Sequence, residues 1–68
     1  MHMEIIVNGL SQDVPDGYTA QQLVDSLDLA GKRIAMEVNE EIVPKSGYAS
    51  HAFAAGDHIE VVHAVGGG

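Results

Sequence analysis

Sixty-eight residues without a cysteine, 46% of them hydrophobic, with ten acids against three bases (net charge −7), describe one small acidic domain. Without thiols no disulfide or thiolate zinc site can staple it, and no apolar run approaches the ~20 residues of a membrane span. A nucleic-acid phosphate backbone or an anionic membrane would repel this surface, whereas a basic protein partner would be drawn to it.

A chain of this size buries only about 60% of its unfolded surface, so its apolar residues must carry the fold. The N-terminus shows no signal-peptide pattern, and the lack of cysteine suits a reducing cytosol; a cytoplasmic protein is the expectation. Met3 is a second candidate start, which would make Met1-His2 an added dipeptide.

Met3-Glu4-Ile5-Ile6-Val7-Asn8 is rich in β-branched residues and predicts a strand with Met3, Ile5 and Val7 on one face. Asn8-Gly9 is a hairpin-turn signal, so Leu10 to Val14 should return antiparallel until Pro15-Asp16-Gly17 breaks the strand. Thr19 and Gln22 have the spacing of a capping box. They open a helix expected over Ala20–Leu29, with Ala20, Leu23, Val24 and Leu27 as its buried stripe. Gly31 suits its C-terminal stop, with Lys32 and Arg33 at the negative end of the dipole.

Ile34 to Val38 alternates again, with Ile34, Met36 and Val38 inward. Asn39-Glu40-Glu41 reads as a turn and Ile42-Val43 as a short edge strand stopped by Pro44. Tyr48 and Phe53 are the expected core anchors of an irregular stretch, and Ala55-Gly56-Asp57 turns into a final apolar strand from His58. One short helix cannot stand alone. It must lie across a sheet of four to five strands, giving a two-layer α+β domain whose last strand is central beside the first.

Behind that strand come Gly66, Gly67 and Gly68. Glycine lacks a side chain to pack and weakens strands, so residues 1–65 should form the domain and 66–68 a flexible tail. Such a tail can enter a channel too narrow for other residues and present a terminal carboxylate for activation; a frayed end or an added linker would look the same.

Other chemistries lack their patterns. There is no Gly-rich phosphate loop followed by Lys-Ser/Thr, so any ATP must be spent by another protein. His58 and His63 are five apart on one strand and face opposite sides, so they cannot share a metal without a bulge. Ser50-His51 adjacency is no triad, and Glu40-Glu41 reads as a solvated turn. Nothing in the pattern builds a concave small-molecule site.

Several segments occur in a telling order: Ile5-Ile6-Val7-Asn8-Gly9, the Thr19–Leu29 helix, Ile34-Ala35-Met36-Glu37-Val38-Asn39, Ile42-Val43-Pro44, Gly56-Asp57-His58-Ile59-Glu60-Val61-Val62 and the terminal glycines. From Met3 onward the chain resembles the ThiS family of thiamine-biosynthesis sulfur carriers, which have the ubiquitin-like β-grasp fold. One departure stands out. Tyr48 or its neighbours stand where a tryptophan is common. His63-Ala64-Val65 precede the glycines, where the related small subunit of molybdopterin synthase carries aromatic and proline residues. Carriers for transfer-RNA thiolation or cysteine synthesis share the Gly-Gly ending, and an interaction module with idle glycines is the rival of another class.

The resemblance implies a protein co-substrate, not an enzyme, with no bound cofactor. An E1-like (ThiF-like) adenylyltransferase would use ATP to adenylate the Gly68 carboxylate. A sulfur donor protein would convert it to a thiocarboxylate, and thiazole synthase (ThiG-like) would take the sulfur. Gly68 is then the reacting residue, and Gly67 must stay without a β-carbon to pass a tight entrance. Gly66 lies on the same path with looser demands. Ala64 to Gly68 could reach roughly 17 Å at about 3.3–3.6 Å per residue. By alternation the sheet face away from the helix should carry Ile6, Ala35 and Val62 beside Glu37 and Glu60, a surface expected to bind the adenylyltransferase.

Overall fold

The computed structural model describes residues 1–63. Five strands and one α-helix follow in the order β1 (His2–Val7), β2 (Leu10–Pro15), α1 (Ala20–Ser26), β3 (Ile34–Val38), β4 (Glu41–Val43) and β5 (His58–His63), with a short 3-10 turn at Lys45–Gly47. The sheet order is β2-β1-β5-β3-β4. The last strand is central, as its apolar run predicts, and it pairs parallel with β1 and antiparallel with β3.

Both hairpins turn through paired left-handed residues. Asn8 and Gly9 have φ of 50° and 84°, and Asn39 and Glu40 have 52° and 71°. These are the positive values a two-residue hairpin needs to follow the strand twist. Asn8-Gly9 supplies them with residues that tolerate the region; Glu40 does not, and carries local strain.

Alternation sets one face of each strand into the core. Ile5, Leu23, Met36 and Ile59 are fully buried, joined by Val7, Val14, Ala20, Val24, Val38, Val43, Val61 and both aromatic anchors, Tyr48 and Phe53. The loop before β5 also finishes the helix start. Ala20 and Gln21 donate their backbone N–H groups to the carbonyls of His51 and Tyr48, at 2.9 and 3.0 Å. Thr19 and Gln22 form the reciprocal capping box.

The helix departs from expectation at its far end. It stops at Ser26, three residues before Leu29. Asp28 takes the left-handed conformation at φ 60°. The N–H groups of Asp28 and Leu29 reach back to the carbonyls of Asp25 and Val24, which closes the helix before the chain reaches Gly31. Leu27 is therefore a cap residue, 36% exposed, not a core residue. Leu29, half-buried against the core, takes the apolar role there. Lys32 and Arg33 lie beyond the last helical turn, which holds no base, so they do not complement its dipole. Gly31, at φ 80°, serves the following turn instead.

Candidate functional site: the outer sheet face and its exit strand

The face of the sheet opposite the helix carries no covering layer among the described residues. Register defines its rows. Ala35 stands opposite Val62, Glu37 opposite Glu60, and Ile42 opposite Glu37 on the edge strand. Ile6 lies beside His58, and Glu4 faces Asp13.

The structure thus brings Ala35 and Val62 together as an exposed apolar pair, with Val62 57% exposed. It places Ile6, half-buried, at the other end of the face. Val62 lies four residues along β5 from His58, the partner of Ile6, or about 13 Å at the strand rise. Glu37 and Glu60 lie between these apolar ends, beside an open depression lined in part by Ile6 and His58. Ile42, 74% exposed, adds an apolar group in the same row as the two acids. From sequence Ile42 is only an edge-strand residue. Alternation from the buried Val43 beside it turns Ile42 outward.

Like charges occupy directly opposed positions twice on this face, at Glu4/Asp13 and Glu37/Glu60. Such pairs are destabilising when directly opposed. The face is acidic as well as apolar, which suits a partner surface that mixes cations with apolar side chains.

Two asparagines, read from sequence only as turn residues, hold β5 from both flanks. On the β1 side the Asn8 carboxamide accepts the Val61 N–H at 2.9 Å and donates to the Val61 carbonyl at 3.2 Å. On the β3 side Asn39 accepts the His58 N–H and donates to Asp57, both at 3.0 Å. Asp57 in turn accepts the Ala54 N–H. The Asn-Gly doublet signals the first turn, but not a contact 53 residues away.

Other candidates stay apart. His58 belongs to the outer face, while His63 pairs with Ile34, a residue of the core side. Among the described residues no group of three or more His, Cys, Asp or Glu could hold a metal ion. The hydroxyls of Ser26 and Ser50 donate to the backbone carbonyls of Leu23 and Gly47. No helix of the described residues is long and apolar enough to cross a membrane. Gly66, Gly67 and Gly68, and the domain limit at Val65, lie outside the described residues.

Comparison with known proteins covers nearly the whole chain. The ThiS family model matches residues 3–68. The sulfur carrier protein ThiS of Escherichia coli is 30% identical over 66 residues, covering 97% of this chain and all of that protein. A thiazole synthase of Paramagnetospirillum magneticum is 38% identical over 66 residues, and the chain spans 20% of its length; the same share holds for a thiazole synthase of Magnetococcus marinus. The crystal structure of a thiamine biosynthesis protein (ThiS) from Geobacter metallireducens superposes with a TM-score of 0.76 at 26% identity, covering 97% of this chain and all of the other. With a mixed five-stranded sheet, one capped helix and a central last strand leading toward the glycines, the chain is a β-grasp domain and belongs to the ThiS family, the sulfur carrier proteins of thiamine biosynthesis.

Proposed function

We propose that this chain carries sulfur as a thiocarboxylate on Gly68 for thiazole formation. The observation that supports this most is a match running through the glycines to residue 68 and taking in a whole sulfur carrier of Escherichia coli. The segment-like match to proteins named thiazole synthase supports the acceptor.

The chemistry follows from the functional group. A terminal carboxylate, with pKa about 3.3–3.7, is anionic at neutral pH and a poor electrophile. In the proposed first step a carboxylate oxygen attacks the α-phosphorus of ATP held by an E1-like adenylyltransferase, and pyrophosphate leaves. Hydrosulfide, released at the sulfide level by a donor protein, then attacks the acyl carbon, and AMP leaves as the C–S bond forms. The resulting thiocarboxylate is a soft nucleophile on a protein handle, which thiazole synthase consumes and the cycle regenerates. The chain is a co-substrate throughout, and ATP belongs to the partner, in the cytoplasm.

The outer face is the proposed docking surface for the adenylyltransferase. Ala35 and Val62 form its apolar contact near the exit of β5, Ile6 a second one, and Glu37 and Glu60 meet partner cations. Gly66 and Gly67 pass the entrance to the adenylation site. Radiolabelled sulfur tests the whole route. Label should pass from the donor to this chain, dependent on ATP and the adenylyltransferase, and then to the thiazole product. Label that reaches the product without residing on this chain would refute the proposal.

A further inference from the structure

The end of β5 is held unequally on its two sides. Toward β3 the ladder runs on through Val62 opposite Ala35 and His63 opposite Ile34. Toward β1 it stops early. The parallel pairing covers Ile6/His58 and Val7/Ile59, followed by one bond from the Asn8 N–H to the Ile59 carbonyl at 2.8 Å. Beyond that, β1 has already turned away through Asn8 and Gly9.

The next backbone groups of β5 that face this side are those of Val61. Backbone groups in a sheet interior need partners, and β1 has none left to offer. The Asn8 side chain supplies both, as acceptor for the N–H and donor to the carbonyl. A carboxamide presents the same donor and acceptor as a peptide unit, so it acts as one more residue of β1. The left-handed backbone at Asn8, φ 50°, aims it there.

Resting on the carrier reading, we infer that Asn8 is a positioning residue for the reaction of the tail: by clamping Val61, seven residues before Gly68, it fixes the direction in which β5 delivers the chain to the adenylation site. Small errors of placement at a reacting centre cost large factors in rate. The docking contact should survive loss of the clamp, because Val62 stays paired with Ala35 on the other side.

Asn8→Gly isolates the clamp, since Gly-Gly still suits the two-residue turn. Asn39→Gly is the matched control. It removes the equivalent carboxamide from His58, at the start of β5. Backbone hydrogen exchange, melting temperature and pyrophosphate release by an E1-like adenylyltransferase with Mg-ATP are measured for the wild-type chain and both variants. Asn8→Gly should lose protection at the Val61 amide and lower kcat by about tenfold or more, with KM for the carrier within about twofold. Asn39→Gly should lower the melting temperature and keep kcat.

Equal loss of kcat in both variants, tracking their melting temperatures, would reduce Asn8 to a structural residue and overturn the inference. Unchanged exchange at Val61 in Asn8→Gly would overturn it as well. A wild-type chain that supports no pyrophosphate release contradicts the carrier reading itself and takes the positioning role down with it; the wild-type arm tells that failure apart.

Discussion

Glu37 and Glu60 face each other directly across β3 and β5, in the middle of the uncovered sheet face. Nothing about folding favours two carboxylates there, and opposed like charges on a sheet are destabilising. Glu60→Lys replaces the repulsion by a cross-strand attraction and should stabilise the domain by about 0.5–1 kcal/mol. The gain should shrink in about 1 M salt, where the screening length is about 3 Å. On the proposed docking face the same change should slow association with the adenylyltransferase several-fold, with a smaller effect on dissociation. Urea melts at two salt concentrations and stopped-flow binding measure both.

Helix burial separates two leucines that sequence periodicity treats alike. Leu23 is fully buried, so Leu23→Ala should cost about 2–5 kcal/mol. Leu27 caps the helix at 36% exposure, and Leu27→Ala should cost about 1 kcal/mol or less. Denaturant titration of both variants checks the order. Equal losses would mean that the helix continues past Ser26.

Two acidic residues occupy left-handed backbone that glycine adopts freely, Asp28 at φ 60° and Glu40 at φ 71°. Glu40→Gly relieves a residue type ill-suited to this region, and Asp28→Gly also removes a negative charge from the negative end of a helix. Each should raise stability by about 0.5–1 kcal/mol after the entropy of the added glycine is set against the relief. Calorimetric melting temperatures that fall in either variant would show that the acid makes a compensating interaction.

Burial pushes the Tyr48 phenol above its ordinary value of 10.0. The unfolded chain therefore gives up this proton first as the solution becomes alkaline, so it binds fewer protons than the folded chain. Stability should be level with respect to this group below pH 10 and fall as pH rises above it. Tyr48→Phe should flatten that alkaline slope in melts across pH 9 to 11, a window set about the ordinary tyrosine value. A slope unchanged by the substitution would assign it elsewhere.

Strand identity was legible wherever one face was apolar and the other polar. Ile5/Val7 and Met36/Val38 are buried as their alternation requires. The Thr19–Gln22 cap was legible because it is local. The helix end was not, because the sequence offers a glycine at residue 31 and the fold uses Asp28, just ahead of Leu29, which packs against the core. The outer face was legible residue by residue but not as a map. Alternation assigns Ile6, Ala35 and Val62 to one side, and only the pairing of β5 with β1 and with β3 sets Ile6 four residues apart from the other two. Asn8 and Asn39 announce their turns locally; their grip on β5 arises from contacts made only when the last strand enters the sheet.

The terminal acyl group of Gly68 is the centre of this account, and intact-mass spectrometry tests it most directly. Three forms are incubated with the adenylyltransferase, ATP and the sulfur donor: the chain ending at Gly68, a chain lacking Gly68, and a chain extended beyond it. The first should gain the mass of one sulfur-for-oxygen exchange, and the other two should gain nothing while melting at nearly the same temperature. Extension turns the required carboxylate into an amide, so full thiocarboxylation of the extended chain, untrimmed, would contradict the mechanism.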